Sequence, residues 1–425
     1  MLDVGKDFNR WSRANTSSAQ NETWFTNLRP AAAPNPSYRT NRQTMRESTA
    51  MSYLWRQDCF QKPSSKEFFN AAKTGDLSTI KTCIASGLSV NITDGDQRTP
   101  LHFAAENEHV EVLQGLLDKG ADIDCATKQG FTALHLAAEN GHVKAMQTLL
   151  ANGAAINRAN KTGFAALHFA AQNGHLEGVQ TLLAKGADMY CANVNWTTPL
   201  HLAARNGHLK PMQALLDKGA FINCVNKDGS TSLQLAARHG QLKIVQTLLH
   251  EGAAVDRKNK DGSTALQFAA RKGHLAILLA LHANRAEIDC VNNNRSTALH
   301  LAAWYGQLEI VQALIDKGAD IHRTNPDGWT SLHLASVHGH LEVVQTLLDH
   351  GLAFDSTNNH GATPLHIAAQ HSHEQVSIVL INAGADLHKV DADGLTPLET
   401  ARAQGYLHLV DVLSGAYSAS TAASA

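Results

Sequence analysis

Residues 326–358 read PDGWTSLHLASVHGHLEVVQTLLDHGLAFDSTN. Pro326, Asp327 and Gly328 form a turn signal, with Gly328 free to take positive φ. Thr330 is placed to cap a short helix carrying Leu332, Leu334 and Ala335, and Gly339 stops it. After the break at Gly339 and His340, Leu341, Val344, Leu347 and Leu348 fall on one stripe of a second helix that Gly351 ends. Neither helix is long enough to stand alone, so the unit must bury its apolar faces against neighbours.

The neighbours are written in the same letters. A Leu returns every 33 residues at 101, 134, 167, 200, 233, 266, 299, 332, 365 and 398, with no insertion or deletion between. A period of this length, held this strictly, predicts one elongated array rather than a set of globular domains. The shared pattern DGxTPLHxAAxxGHxEVVxxLLxxGAD resembles the ankyrin repeat, and the resemblance covers about 360 of the 425 residues. It implies an all-α solenoid of helix-turn-helix units joined by β-turn or hairpin loops, eleven units over residues 65–417. The first unit is degenerate: Phe68, Ala71, Ala72, Gly75, Leu77, Ile80, Ile84 and Gly87 keep the pattern, while Lys66, Lys73 and Lys81 make it polar, as a terminal cap requires. In the last unit Glu399 stands where other units have His, and Arg402 replaces the second Ala, which marks the other cap.

Composition agrees and sets limits. Hydrophobic residues at 43% with aromatics at 6% predict a continuous aliphatic core. The net charge of −2 speaks against a nucleic-acid or membrane-surface binder. Residues 1–64 hold nine Lys or Arg against five Asp or Glu and carry no repeat. They are expected to form a largely disordered leader, with a short helix within 45–60 around Met51, Leu54, Trp55 and Phe60. The Ala and Ser run at 418–425 is expected to be an unstructured tail. No apolar run of spanning length occurs, and the six cysteines (59, 83, 125, 191, 224, 290) lack close metal spacing, so a cytoplasmic or nuclear protein with reduced thiols is expected.

Twenty-four histidines invite a metal or acid-base reading. Seven (102, 135, 168, 201, 300, 333, 366) belong to the Thr-Pro-Leu-His motif, and seven (109, 142, 175, 208, 274, 340, 373) to the step between helices. By the resemblance these bond turns and helix ends, so no metal and no cofactor is expected. No nucleophile elbow and no phosphate-binding glycine loop occurs, which argues against an enzyme.

Candidate contacts are therefore positions the repeat leaves free. By the resemblance, these are the residues that follow Ala-Ala on the first helix and those around the turn Gly. Along the array the first position reads Glu106, Glu139, Gln172, Arg205, Arg238, Arg271, Trp304, Val337 and Gln370. Stacked at about 10 Å per repeat, Arg205, Arg238 and Arg271 would make a ladder roughly 20 Å long, suited to an acidic segment. Trp304 and Tyr305 follow as interface anchors, and Phe131, Phe164, Trp196 and Trp329 are read as aromatics at turn tips. A solvated face with the Trp packed on its neighbour is the competing reading. Arg285 in place of a helix-ending Gly, Arg295 in place of a turn Gly and His282 in place of a Leu predict the loosest junction at 282–296.

The expected function is a monomeric protein-protein interaction scaffold or adaptor. A dedicated inhibitor of one partner, or an accessory or effector of a pathway, is the alternative.

Overall fold

The computed structural model describes residues 63–423, so the expected leader before residue 63, with its helix at 45–60, lies outside the described residues. Among the described residues the chain forms 22 helices, from α1 (Ser65–Thr74) and α2 (Leu77–Ala85) to α21 (Pro397–Gln404) and α22 (Leu407–Ala423). Each unit contributes one pair. First helices pack on first helices and second helices on second helices, which gives two layers with the turns projecting along one edge.

The tetrapeptide explains why each first helix starts where it does. In α17 (Ser331–His338), Thr330 is the N-cap and accepts the His333 N–H. His333 returns the bond: its Nδ1 lies 3.2 Å from the Thr330 amide nitrogen and 2.9 Å from the Thr330 hydroxyl. Its Nε2 donates to the Ala362 carbonyl in the next turn, at 3.1 Å. One imidazole thus closes a capping box and ties two repeats together. Gln234 and Gln267 do both jobs with an amide, accepting from the cap residue and donating to Ser263 and Ser296 carbonyls at 2.9 Å. Glu399 closes the box at 2.8 Å but carries no donor when ionised, and among the described residues no further turn follows for it to reach.

The Ala pairs let the first helices approach closely, and the aliphatic stripe of each second helix fills the space behind them. Leu332, Ala335, Val344 and Leu347 are fully buried and belong to one apolar core that runs the length of the array. Gly339 shows why the helix-ending glycine is demanded twice over. Its φ is +69°, and a Cβ there would lie 2.5 Å from the His373 ring of the next unit.

Six described residues other than glycine take φ values that ordinary side chains avoid: Glu108 (+57°), Arg285 (+65°) and Ser372 (+58°) at helix ends, and Gln97 (+62°), Trp196 (+57°) and Arg295 (+53°) at turns. Each costs on the order of 1 kcal/mol. The C-terminal expectation needs correction, because α22 continues from Leu407 to Ala423 through the segment read as an unstructured tail. Ala is the best helix former, and no proline or turn signal follows Gly415 to end the helix.

Candidate partner-binding groove

The last turns of the first helices face the turn row across a groove, visible near the C-terminal end as a cavity of about 90 Å³ walled by His366, Gln370 and Gln404 on one side and His360, Asp391 and Leu395 on the other. The helices α9 (Pro199–Asn206), α11 (Ser232–Arg238) and α13 (Ala265–Lys272) place Arg205, Arg238 and Arg271 in their last turns, where a cation suits the helix dipole. All three are half-buried. The Arg238 guanidinium carbon lies 5.9 Å from the Phe268 ring centre and that of Arg271 lies 5.1 Å from the Tyr305 ring. These two side chains therefore lean along the array, each against an aromatic of the next repeat.

Side-chain bonds to the backbone hold this row in register. In several units the imidazole after the helix-ending Gly donates back to the carbonyl of the preceding unit's groove residue: His142 to Glu106 at 3.0 Å, His175 to Glu139 at 2.9 Å, and His373 to Val337 at 2.9 Å. At the N-terminal end Glu106 pairs with Arg98, and burial together with the Glu106 charge raises the Glu139 carboxyl above its ordinary value. The groove runs from an acidic end through the arginines to an aromatic and histidine-rich end. There His338 sits edge-on to Trp304 at 4.3 Å, and burial, reinforced by neighbouring imidazoles, lowers its pKa to about 4.

The aromatic residues divide. Trp304 and Trp329 are only 6% and 5% exposed and share a cluster with Leu334, Val337, Ala362 and Ile367. Neither is an open anchor: two successive groove positions are apolar there (Trp304 and Val337), and Trp329 closes over them. Tyr305 packs at the edge of that cluster, its hydroxyl raised by burial and partly compensated by Arg271. Phe131 and Phe164 are half-buried and hold Phe169 between them at 5.2 and 5.3 Å, so they stiffen the turn row rather than stand out from it. Trp196 alone of the turn aromatics is exposed, at 57%, and it occupies the turn-glycine position itself, one residue before the position of the other three.

One pair escaped the sequence reading. Tyr190 and Phe221 are exposed with rings 4.7 Å apart. At the position of Tyr190 most other units carry Asn or Asp (His322 and His388 are the exceptions), whose side chain accepts a backbone N–H of the next unit, as in Asn157 to Asp188 at 2.8 Å and Asn223 to Ala254 at 2.9 Å. Comparing that column across units would have flagged Tyr190.

Among the described residues no cluster of three or more His, Cys, Asp or Glu is arranged to hold a metal ion, and no helix is long and apolar enough to cross a membrane. The cysteines among the described residues are free, and burial pushes the Cys191 thiol up to about 12.

Stacked helical pairs with a variable groove and turn row define a repeat solenoid of the protein-interaction class. The family model for ankyrin repeats matches overlapping segments from residue 68 to residue 422, and the chain belongs to that family. It is 46% identical to Xenopus tropicalis myotrophin over 57 residues, which are 13% of this chain and 48% of myotrophin. It is 34% identical to bovine ankyrin repeat domain-containing protein 49 over 82 residues, 19% of this chain and 34% of that protein. It is 40% identical to acyl-CoA-binding domain-containing protein 1 of Arabidopsis thaliana over 50 residues, 12% of this chain and 15% of that protein. The chain thus spans less than half the length of these relatives. The ankyrin repeat domain of human ASB11 aligns in structure with a TM-score of 0.49 at 29% identity, covering 52% of this chain and 99% of that domain.

Proposed function

We propose that the array is a non-catalytic scaffold or adaptor that takes an acidic segment of a protein partner along its groove. The observation that supports this is the row of Arg205, Arg238 and Arg271, three cations at one phase of three consecutive first helices. A guanidinium keeps its charge beside an aromatic face, as at Arg238 and Arg271, and a row of guanidiniums suits carboxylates through charge-assisted hydrogen bonds. Tyr305 closes the row, and the buried Trp304 and Trp329 make that end of the groove rigid. Burial raises the thiols of Cys83, Cys125, Cys191, Cys224 and Cys290, which supports their staying reduced and unreactive, in keeping with a cytoplasmic or nuclear protein.

The test compares the partners recovered by affinity purification and mass spectrometry with the wild type and with Arg205→Glu/Arg238→Glu/Arg271→Glu. A partner recovered by the wild type should bind the purified triple variant at least about tenfold more weakly. Equal affinity would remove the arginines from the account.

A further inference from the structure

The turn before Leu200 differs from those around it. Where neighbouring units write Lys128-Gln129-Gly130, Lys161-Thr162-Gly163, Lys227-Asp228-Gly229 and Lys260-Asp261-Gly262, this one writes Val194-Asn195-Trp196. Two polar or glycine positions have become apolar, and both side chains are exposed, Trp196 at a backbone φ that favours glycine. The fold gains no core from the exchange, since Trp196 and Val194 lie in neither buried cluster. A strained, exposed aromatic that glycine would replace without strain points to a contact made with something else.

Its surroundings say what. Backbone bonds stitch the tips together: Lys161 N–H to the Gln129 carbonyl at 3.1 Å, Val194 to Thr162 at 3.2 Å, Lys227 to Asn195 at 2.8 Å and Lys260 to Asp228 at 2.9 Å. The stitching sets Lys128, Lys161, Val194, Lys227 and Lys260, all exposed, in one row at about 10 Å per repeat. The Lys260 ammonium lies 5.7 Å from the Trp196 ring centre, so the indole is laid along that row across two repeats. Tyr190 and Phe221 add a second exposed aromatic pair in the same two units.

We propose that this row is a second docking edge, separate from the groove, for an extended segment of a partner protein that carries a large apolar side chain between acidic residues. The proposal rests on reading the array as a protein-binding module but uses different residues. An extended chain advances about 3.3 Å per residue, so acids three residues before, and three and six residues after, the apolar one would meet Lys161, Lys227 and Lys260. A nucleic acid or other polyanion fits less well. Asp228 and Asp261 stand exposed beside Lys227 and Lys260, which breaks up the positive field, and the apolar pair offers a phosphate nothing.

The probe is a fluorescent synthetic peptide with Leu-Phe at its centre and Glu at those three positions, titrated into the full chain at physiological salt. An Ala-Ala-centred peptide and an oligonucleotide of greater charge serve as competitors. Trp196→Gly should weaken binding at least about tenfold while the melting temperature holds or rises, and Lys161→Glu/Lys227→Glu should weaken it similarly. The Arg205, Arg238 and Arg271 triple variant should bind this peptide as the wild type does, whatever becomes of its groove partners. Unchanged affinity in Trp196→Gly, no binding by the wild type, or displacement by the oligonucleotide at equal charge equivalents would overturn the proposal. Loss only in the arginine variant would place the peptide in the groove, which sinks the edge and leaves the groove reading standing.

Discussion

The Nε2 of His340 lies 3.0 Å from the carbonyl oxygen of Trp304, one repeat back. That single bond joins the step between helices in one unit to the end of the first helix in the unit before, and it satisfies a helix-terminal carbonyl that would otherwise lack a partner within its helix. Gln241 makes the equivalent bond to Arg205 at 3.4 Å. His340→Ala should therefore lower stability by about 1 kcal/mol, read as a shift of the thermal or urea midpoint. His340→Gln should retain most of it, because an amide donor already serves at Gln241. If both variants melt together with the wild type, the bond contributes nothing.

The motif histidines make stability depend on acid. Burial lowers His135, His168, His201, His300 and His333 from 6.5 to about 4. They are neutral in the folded state with Nδ1 as acceptor, as at Thr132 and Thr330, so protonation breaks the capping box. The unfolded chain takes up protons below pH 6.5 and the folded chain does not until about pH 4. Stability is thus complete above pH 6.5 and falls between pH 6.5 and about 4, by on the order of 1.4 kcal/mol per pH unit for each histidine. Urea midpoints across this range should fall steeply, and His135→Gln/His333→Gln should flatten the slope, since Gln fills the same role in two natural units. A slope unchanged by the double substitution would remove these histidines as its source.

His282 occupies a position where every other unit but the last, which has Ser414, carries Leu or Ile, and its Nδ1 is buried without a hydrogen-bond partner. Leu there would remove an unsatisfied polar atom and restore an aliphatic contact. His282→Leu should raise stability by about 1 kcal/mol or more, measured by denaturant unfolding. A lower midpoint would mean that the imidazole makes a contact worth more than its burial costs.

The repeat made the architecture legible because every constant residue answers a local demand: Thr and His for the box, Ala for close helices, Gly for positive φ. The same regularity hid the environment of the variable residues. Trp304 follows the arginines in the column and looks like an anchor, yet its exposure depends on Val337, Trp329 and Ile367 in later units, a three-unit packing problem that one column does not state. Phe131 and Phe164 look like loose tips until Phe169 is placed between them. Tyr190 was missed because its column is structural, filled mostly by Asn or Asp bonded to the next unit, so a departure in it does not read as a surface feature. The helix at 418–423 was missed because an Ala-Ser composition suits a frayed tail and a helix extension alike.

The junction at 282–296 shows how strain and bonding separate. Arg285 and Arg295 take φ values of +65° and +53°, yet the backbone bonds of a regular unit are all made there: Ala286 to Leu281 at 3.1 Å, Asn293 to Asp261 at 2.9 Å and Arg295 to Asn292 at 2.8 Å. The segment therefore holds the fold's geometry while lying closer in energy to an opened state than residues 249–263, its equivalent one repeat earlier, where Gly252 and Gly262 fill the same two positions. Amide exchange should be faster across 282–296 than across 249–263 in the same sample. Arg285→Gly/Arg295→Gly should slow it to the level of its neighbour and add on the order of 1 kcal/mol per site. Equal protection of the two segments in the wild type would show that the array absorbs the strain without loosening.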